Sequence, residues 1–114
     1  MIDGFFRIAF TGAAGSGFGV LALRNGAVAG ADEGGAMYDG KYSENSTTGD
    51  ISFDVRMSAP AGITPVQTGV ALAAPMDVPI TATLKSADLA SQKTILLQTA
   101  LGPVNVIFSK IRDL

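Results

Sequence analysis

The acidic side chains Asp32, Glu33, Asp39, Glu44, Asp50 and Asp54 and the glycine series Gly12-x-x-Gly15-x-Gly17-x-Gly19 come nearest to chemistry in type and spacing. Two carboxyls flanking a cleft, one with a raised pKa, hydrolyse glycosides. A glycine-rich turn between a strand and a helix N-terminus cradles phosphate. Neither arrangement is completed in this chain. Asp50 and Asp54 alternate with Ile51, Phe53 and Val55, so they belong to the wet face of an amphipathic strand. Asp32 follows Gly30 at a turn, where aspartate bonds nearby backbone. The glycine series runs into a second strand and not a helix, so it reads as bends and bulges.

The remaining routes to catalysis close in turn. There is no Cys and no His, which removes disulfides, thiol nucleophiles, zinc sites of the usual kind and histidine acid–base chemistry. Neighbours such as Ser109 and Lys110 point to opposite faces of a strand and cannot cooperate. The loops around Asp32 and Glu44 offer too few oxygens for calcium. No spacing joins Lys85 or Lys93 to a carboxylate pair. The residues predict a protein that is not an enzyme and uses no cofactor and no metal.

The chain of 114 residues accommodates a single domain, 1–114, and its 47% hydrophobic content is enough for one core. A net charge of −2, with eight basic residues spread along the chain, argues against nucleic acid as a partner. Met1-Ile2-Asp3 leads straight into a strand with no basic or apolar leader. The most apolar run, 69–76, is far below the ~18 residues of a spanning helix. A soluble, cytoplasmic protein without a membrane partner is therefore expected.

Hydrophobic alternation with a period of two dominates and predicts strands near 4–10, 17–24, 27–31, 37–43, 50–57, 78–85, 93–99 and 104–111. Asn25-Gly26 between two apolar runs is a hairpin signal, because a type I′ turn needs positive φ at both positions. Residues 86–92 read as a turn with room for one helical turn. Residues 58–77, punctuated by Pro60, Pro65 and Pro75, are too long for a hairpin loop and read as a lid or flap. A helical turn or an extra edge strand near 66–72 is compatible with that stretch. Eight strands in a meander avoid exposed edges by closing into an up-and-down antiparallel barrel. A two-sheet sandwich is the alternative.

The barrel reading assigns Phe6, Ile8, Phe10, Phe18, Val20, Ile51, Phe53, Val55, Met57, Ile80, Leu84, Leu96, Val106 and Phe108 to the interior. Their bulk favours a filled interior, whereas Ala22, Ala29 and Ala82 leave room for a groove. Phe18 and Phe53 are accordingly candidate contacts for a small apolar ligand. Tyr38 and Tyr42 share a face across Gly40, and their rings belong to the core, a cavity mouth or a dimer contact. No buried charge is available to hold a fatty-acid carboxylate. The absence of Trp removes the Gly-x-Trp signature of lipocalins.

The opening Ile2-Asp3-Gly4-Phe5-Phe6-Arg7-Ile8-Ala9-Phe10 resembles that of the GrlR-like family. The likeness continues through Gly17-x-Gly19-Val20-Leu21, Asn25-Gly26, Gly30-x-Asp32 and Tyr38-x-Gly40-x-Tyr42-Ser43. It implies an eight-stranded calycin-like barrel, a homodimer and no enzymatic activity. The family's namesake is a negative regulator of type III secretion that sequesters a helix-turn-helix transcriptional activator. It carries an acidic Glu-Asp-Glu-Asp run between its fourth and fifth strands. The corresponding loop here keeps only Glu44 and Asp50, with five residues between them, so the run itself is missing. The resemblance thus implies a protein-binding regulator, with Glu44 and Asp50 as its candidate partner contacts. A carrier or sensor of a small apolar ligand is the alternative.

Overall fold

The computed structural model describes residues 2–114; Met1, the first residue of the opening read above, lies outside them. These residues form β1 (Gly4–Gly12), β2 (Gly15–Arg24), β3 (Ala27–Asp32), β4 (Met37–Asn45), β5 (Asp50–Ala59), β6 (Met76–Lys85), a short helix α1 (Ser86–Ala90), β7 (Ile95–Thr99) and β8 (Gly102–Asp113). The strands lie in the order β6-β5-β4-β3-β2-β1-β8-β7, and every neighbouring pair is antiparallel. The sheet curls until its two edge strands, β6 and β7, approach each other, giving a nearly closed eight-stranded barrel compatible with the calycin-like form. Closure hides the edges that an open sheet would present. Among the described residues no helix is long and apolar enough to cross a membrane.

Local sequence explains the connections. Asn25 and Gly26 adopt φ of 51° and 82°, the paired positive values of the hairpin turn their sequence predicts. The β1–β2 strands run up to Gly12 and restart at Gly15, so the turn is tighter than the gap between the strands expected near 4–10 and 17–24. The connection between β6 and β7 contains the anticipated helical turn, α1, packed against β6 and β8. Its Leu89 is fully buried and plugs the lower end of the barrel, where the start of β1, the end of β8 and the β2–β3 and β4–β5 turns also lie.

Above Leu89 the lower half is solid. Leu23, Val28 and Ile51 are buried almost completely. Phe6, Phe53 and Phe108 form an aromatic layer over them. Phe6 meets Phe108 edge-on at 6.2 Å, Phe53 stacks on Phe108 at 6.3 Å, and Tyr42 leans on Phe53 at 6.2 Å.

The structure corrects several placements. Phe18 and Val20, assigned to the interior, point outward and are 51% and 47% exposed. On β2 the inward register belongs to Gly17, Gly19, Leu21 and Leu23. Apolar residues on both faces of β2 made its alternation ambiguous, and the inward glycines removed the size cue. Leu96 likewise faces out, while its neighbours Ile95 and Leu97 pack on the core. Ala22 and Ala29 sit opposite each other on the outer face, so they open no interior groove. The stretch 66–72 is no strand: Pro65 O accepts from the backbone N–H groups of Thr68 and Gly69 in a single helical turn. β7 starts at Ile95, two residues after the expected 93.

Candidate functional site

The upper half of the barrel is hollow. A cavity of about 390 Å³ lies between the aromatic layer and the segment 60–75. Phe53 and Phe108 form its floor, and residues from all eight strands line it, among them Ile8, Leu21, Val55, Ile80, Leu97 and Val106. The expectation of a filled interior is therefore corrected for this half. The cause is residue size at particular inward positions. Gly17 lines the cavity and seats the Phe10 ring, which lies 2.8 Å from where a Cβ would be. Ala36 and Ala82 supply the other small surfaces. Such a volume falls in the ordinary range for small-molecule sites.

The long connection between β5 and β6 acts as the lid. Ile63, Thr64, Pro65, Val66 and Gln67 line the cavity from above. The lid is folded on itself by Gly62 N–H donating to Leu72 O and Leu72 N–H donating to Ile63 O, each at 2.8 Å. It is fastened to the barrel rim at two places. Ala14 N–H, in the β1–β2 turn, donates to Val66 O at 2.8 Å. Gln67 Nε2 donates to Thr99 Oγ1, at the end of β7, at 3.3 Å. Apolar contact holds it too: Pro65 is buried and Val66 packs on the barrel core.

Polar groups gather at one side of the mouth. Asp32, at the end of β3, accepts the backbone N–H groups of Gly34 at 3.0 Å and Ala36 at 3.1 Å through Oδ1. This is the local turn bonding its sequence position predicts. Its Oδ2 accepts the Tyr38 hydroxyl at 2.7 Å. Burial, and then this carboxylate, push the Tyr38 phenol far above the ordinary tyrosine range, so it remains a protonated donor. Glu33 Oε1 accepts Phe18 N–H at 3.2 Å, and Glu33 N–H donates to Phe18 O at 3.1 Å, tying the β3–β4 turn to β2.

Of the partner and ligand contacts expected from the sequence, Tyr38 and Phe53 meet at this cavity, as do Asp32 and Glu33 of the acidic series. The others lie elsewhere. Phe18 is on the outer wall, joined to the mouth through its backbone alone. Tyr42 is buried in the lower half, where its hydroxyl donates to Asp3. Asp3 also accepts Asn25 N–H at 3.2 Å, and the bond from Tyr42, reinforced by Asn25, holds its carboxyl below the usual range. Burial, followed by the Asp3 contact, pushes the Tyr42 phenol up. Glu44 is the last inward residue of β4, and its buried Oε1 has no hydrogen-bond partner. Asp50 pairs with Lys85 at the lower rim, which lowers its carboxyl pKa. Asp39 and Asp54 stand on the outer wall, in register with Arg56 and Lys41 of the neighbouring strands. No group of His, Cys, Asp or Glu among the described residues has the geometry to hold a metal ion.

Sequence reasoning missed Ala36 and Gln67 as lining residues and named Glu33 only as a carboxylate. The one available signal was the length of the proline-punctuated connection, which marked the lid without showing what it covers. No family model, curated protein or solved structure matches the chain.

Proposed function

We propose that this protein binds a small apolar ligand inside the upper half of the barrel, as a carrier or sensor. The observation that carries this reading is the cavity of about 390 Å³, lined mainly by apolar side chains and covered by a lid with its own fastening. Apolar surface held away from water in a preformed space is the ordinary basis for capturing such a molecule. A titration with the neutral dye N-phenylnaphthylamine tests it. Saturable, blue-shifted fluorescence is expected from the wild type. Ala82→Trp, which puts an indole into the cavity from β6, should weaken that binding by at least about tenfold. Dye fluorescence that fails to saturate, or that Ala82→Trp leaves unchanged, would refute the reading.

A second reading, a protein-binding regulator, draws on the GrlR-like resemblance and on the outer wall. Phe18 and Val20 on β2 and Met37 on β4 are exposed, with Ala9, Ala29 and Ala31 on the strands beside them. Exposed apolar clusters of this kind mark protein contacts. The contact would serve a transcriptional activator or a second copy of the chain. Light scattering of wild type and Val20→Glu tests the homodimer: a wild-type dimer that the variant splits supports it, and a wild-type monomer at high concentration opposes it.

A further inference from the structure

The cavity's own chemistry narrows the class of guest; this inference rests on the ligand-binding reading above. Among the described residues no lysine or arginine lines the cavity, and the chain has no histidine. The charged residues that do line it, Asp32 and Glu33, are both acidic and adjacent in sequence at the top of β3. Asp32 is committed to two backbone N–H groups and the Tyr38 hydroxyl. Glu33 gives Oε1 to Phe18 N–H, which leaves Oε2 for a guest. Tyr38 has directed its proton at Asp32, so its oxygen meets a guest as an acceptor. One side of the mouth therefore offers negative charge and lone pairs, above a floor of Phe53 and Phe108.

We infer that the ligand is an apolar chain or ring ending in a protonated amine, with the amine held at Glu33 and Tyr38 and the apolar body against the Phe53–Phe108 floor. A fatty carboxylate is rejected by the same groups. Its charge would enter beside two carboxylates, with no cation to offset the loss of hydration. A primary ammonium brings three donors to a site that has acceptors to spare. A neutral alcohol falls between the two, since it supplies one donor without the charge attraction.

Competition against bound N-phenylnaphthylamine with decylamine, decanol and decanoate, all below their micelle concentrations, tests the order. Decylamine is expected to displace the dye at concentrations about tenfold below decanol, and decanol about tenfold below decanoate. Glu33→Gln keeps an acceptor for Phe18 N–H while removing the charge, and should cut the amine-to-alcohol ratio to about threefold. Asp32→Asn provides a second route to the same reduction. Decanoate competing as well as decylamine would overturn the inference and leave the carrier reading standing, because the cavity would still be occupied. Failure of every probe and of the dye itself would remove both.

Discussion

The two ends of this barrel are built from the same strands and end in opposite states. Below, Leu23, Val28, Ile51 and Leu89 fill the bore and are buried almost completely. Above, the short side chains of Ala36 and Ala82 border a cavity. Each end also holds a tyrosine bonded to an aspartate: Tyr42 with Asp3 below, Tyr38 with Asp32 above. The lower pair ties the segment before β1 to β4, and the upper pair stiffens the rim of a space. The solid end thus buries most of the large side chains completely, while the hollow end keeps open space.

The contrast is broken most severely by Leu23→Ala. Emptying a fully buried site in the solid half should cost about 2–5 kcal/mol, read from denaturant unfolding. Ala82→Trp, which adds bulk to the hollow half, should change stability by less than about 1.5 kcal/mol, because space already exists there. Equal losses from the two variants would contradict the division.

Tyr38→Phe comes next. Removing the hydroxyl from a half-buried bond to a carboxylate should cost about 1.5 kcal/mol. The wild type should also lose stability on the alkaline side. A phenol whose folded pKa is raised contributes fully below the unfolded value of 10.0, and that contribution fades as pH rises toward the folded one. Urea midpoints measured between neutral pH and the alkaline range should fall more steeply for wild type than for Tyr38→Phe.

The solid end is tested from the acid side. The carboxyl of Asp3 is depressed by Tyr42 and Asn25, so its contribution is present above the unfolded value of 3.8 and is lost as pH falls through the folded one. Asp3→Asn should flatten the acid limb of a thermal-stability profile while leaving the alkaline limb in place. The smallest effect is expected from Val20→Glu, on the exposed wall between the ends. It should shift the stability of the isolated protein by no more than about 0.5 kcal/mol.

Where one face of a strand was plainly polar, the sequence was sufficient. In β5, Asp50, Ser52, Asp54 and Arg56 leave no doubt about which way Ile51, Phe53 and Val55 point. In β2 both faces are apolar or small, and no local pattern says whether Phe18 or Gly17 faces inward; closure of the barrel decides it. The cavity was illegible for a related reason. A void is a sum over positions distant in sequence, and Gly17, Ala36 and Ala82 become one surface only when β2, the β3–β4 turn and β6 are brought around the same axis. Asp32 was legible as a turn residue, whereas its bond to Tyr38 depended on β4 returning beside β3.

Methyl NMR during titration with decylamine tests the division between the ends most directly. Signals of Ile8, Leu97 and Val106 around the cavity should move saturably, while those of Leu23, Ile51 and Leu89 stay in place. Shifts spread evenly over both groups, or confined to the outer-wall Val20, would contradict a hollow binding end resting on a solid one.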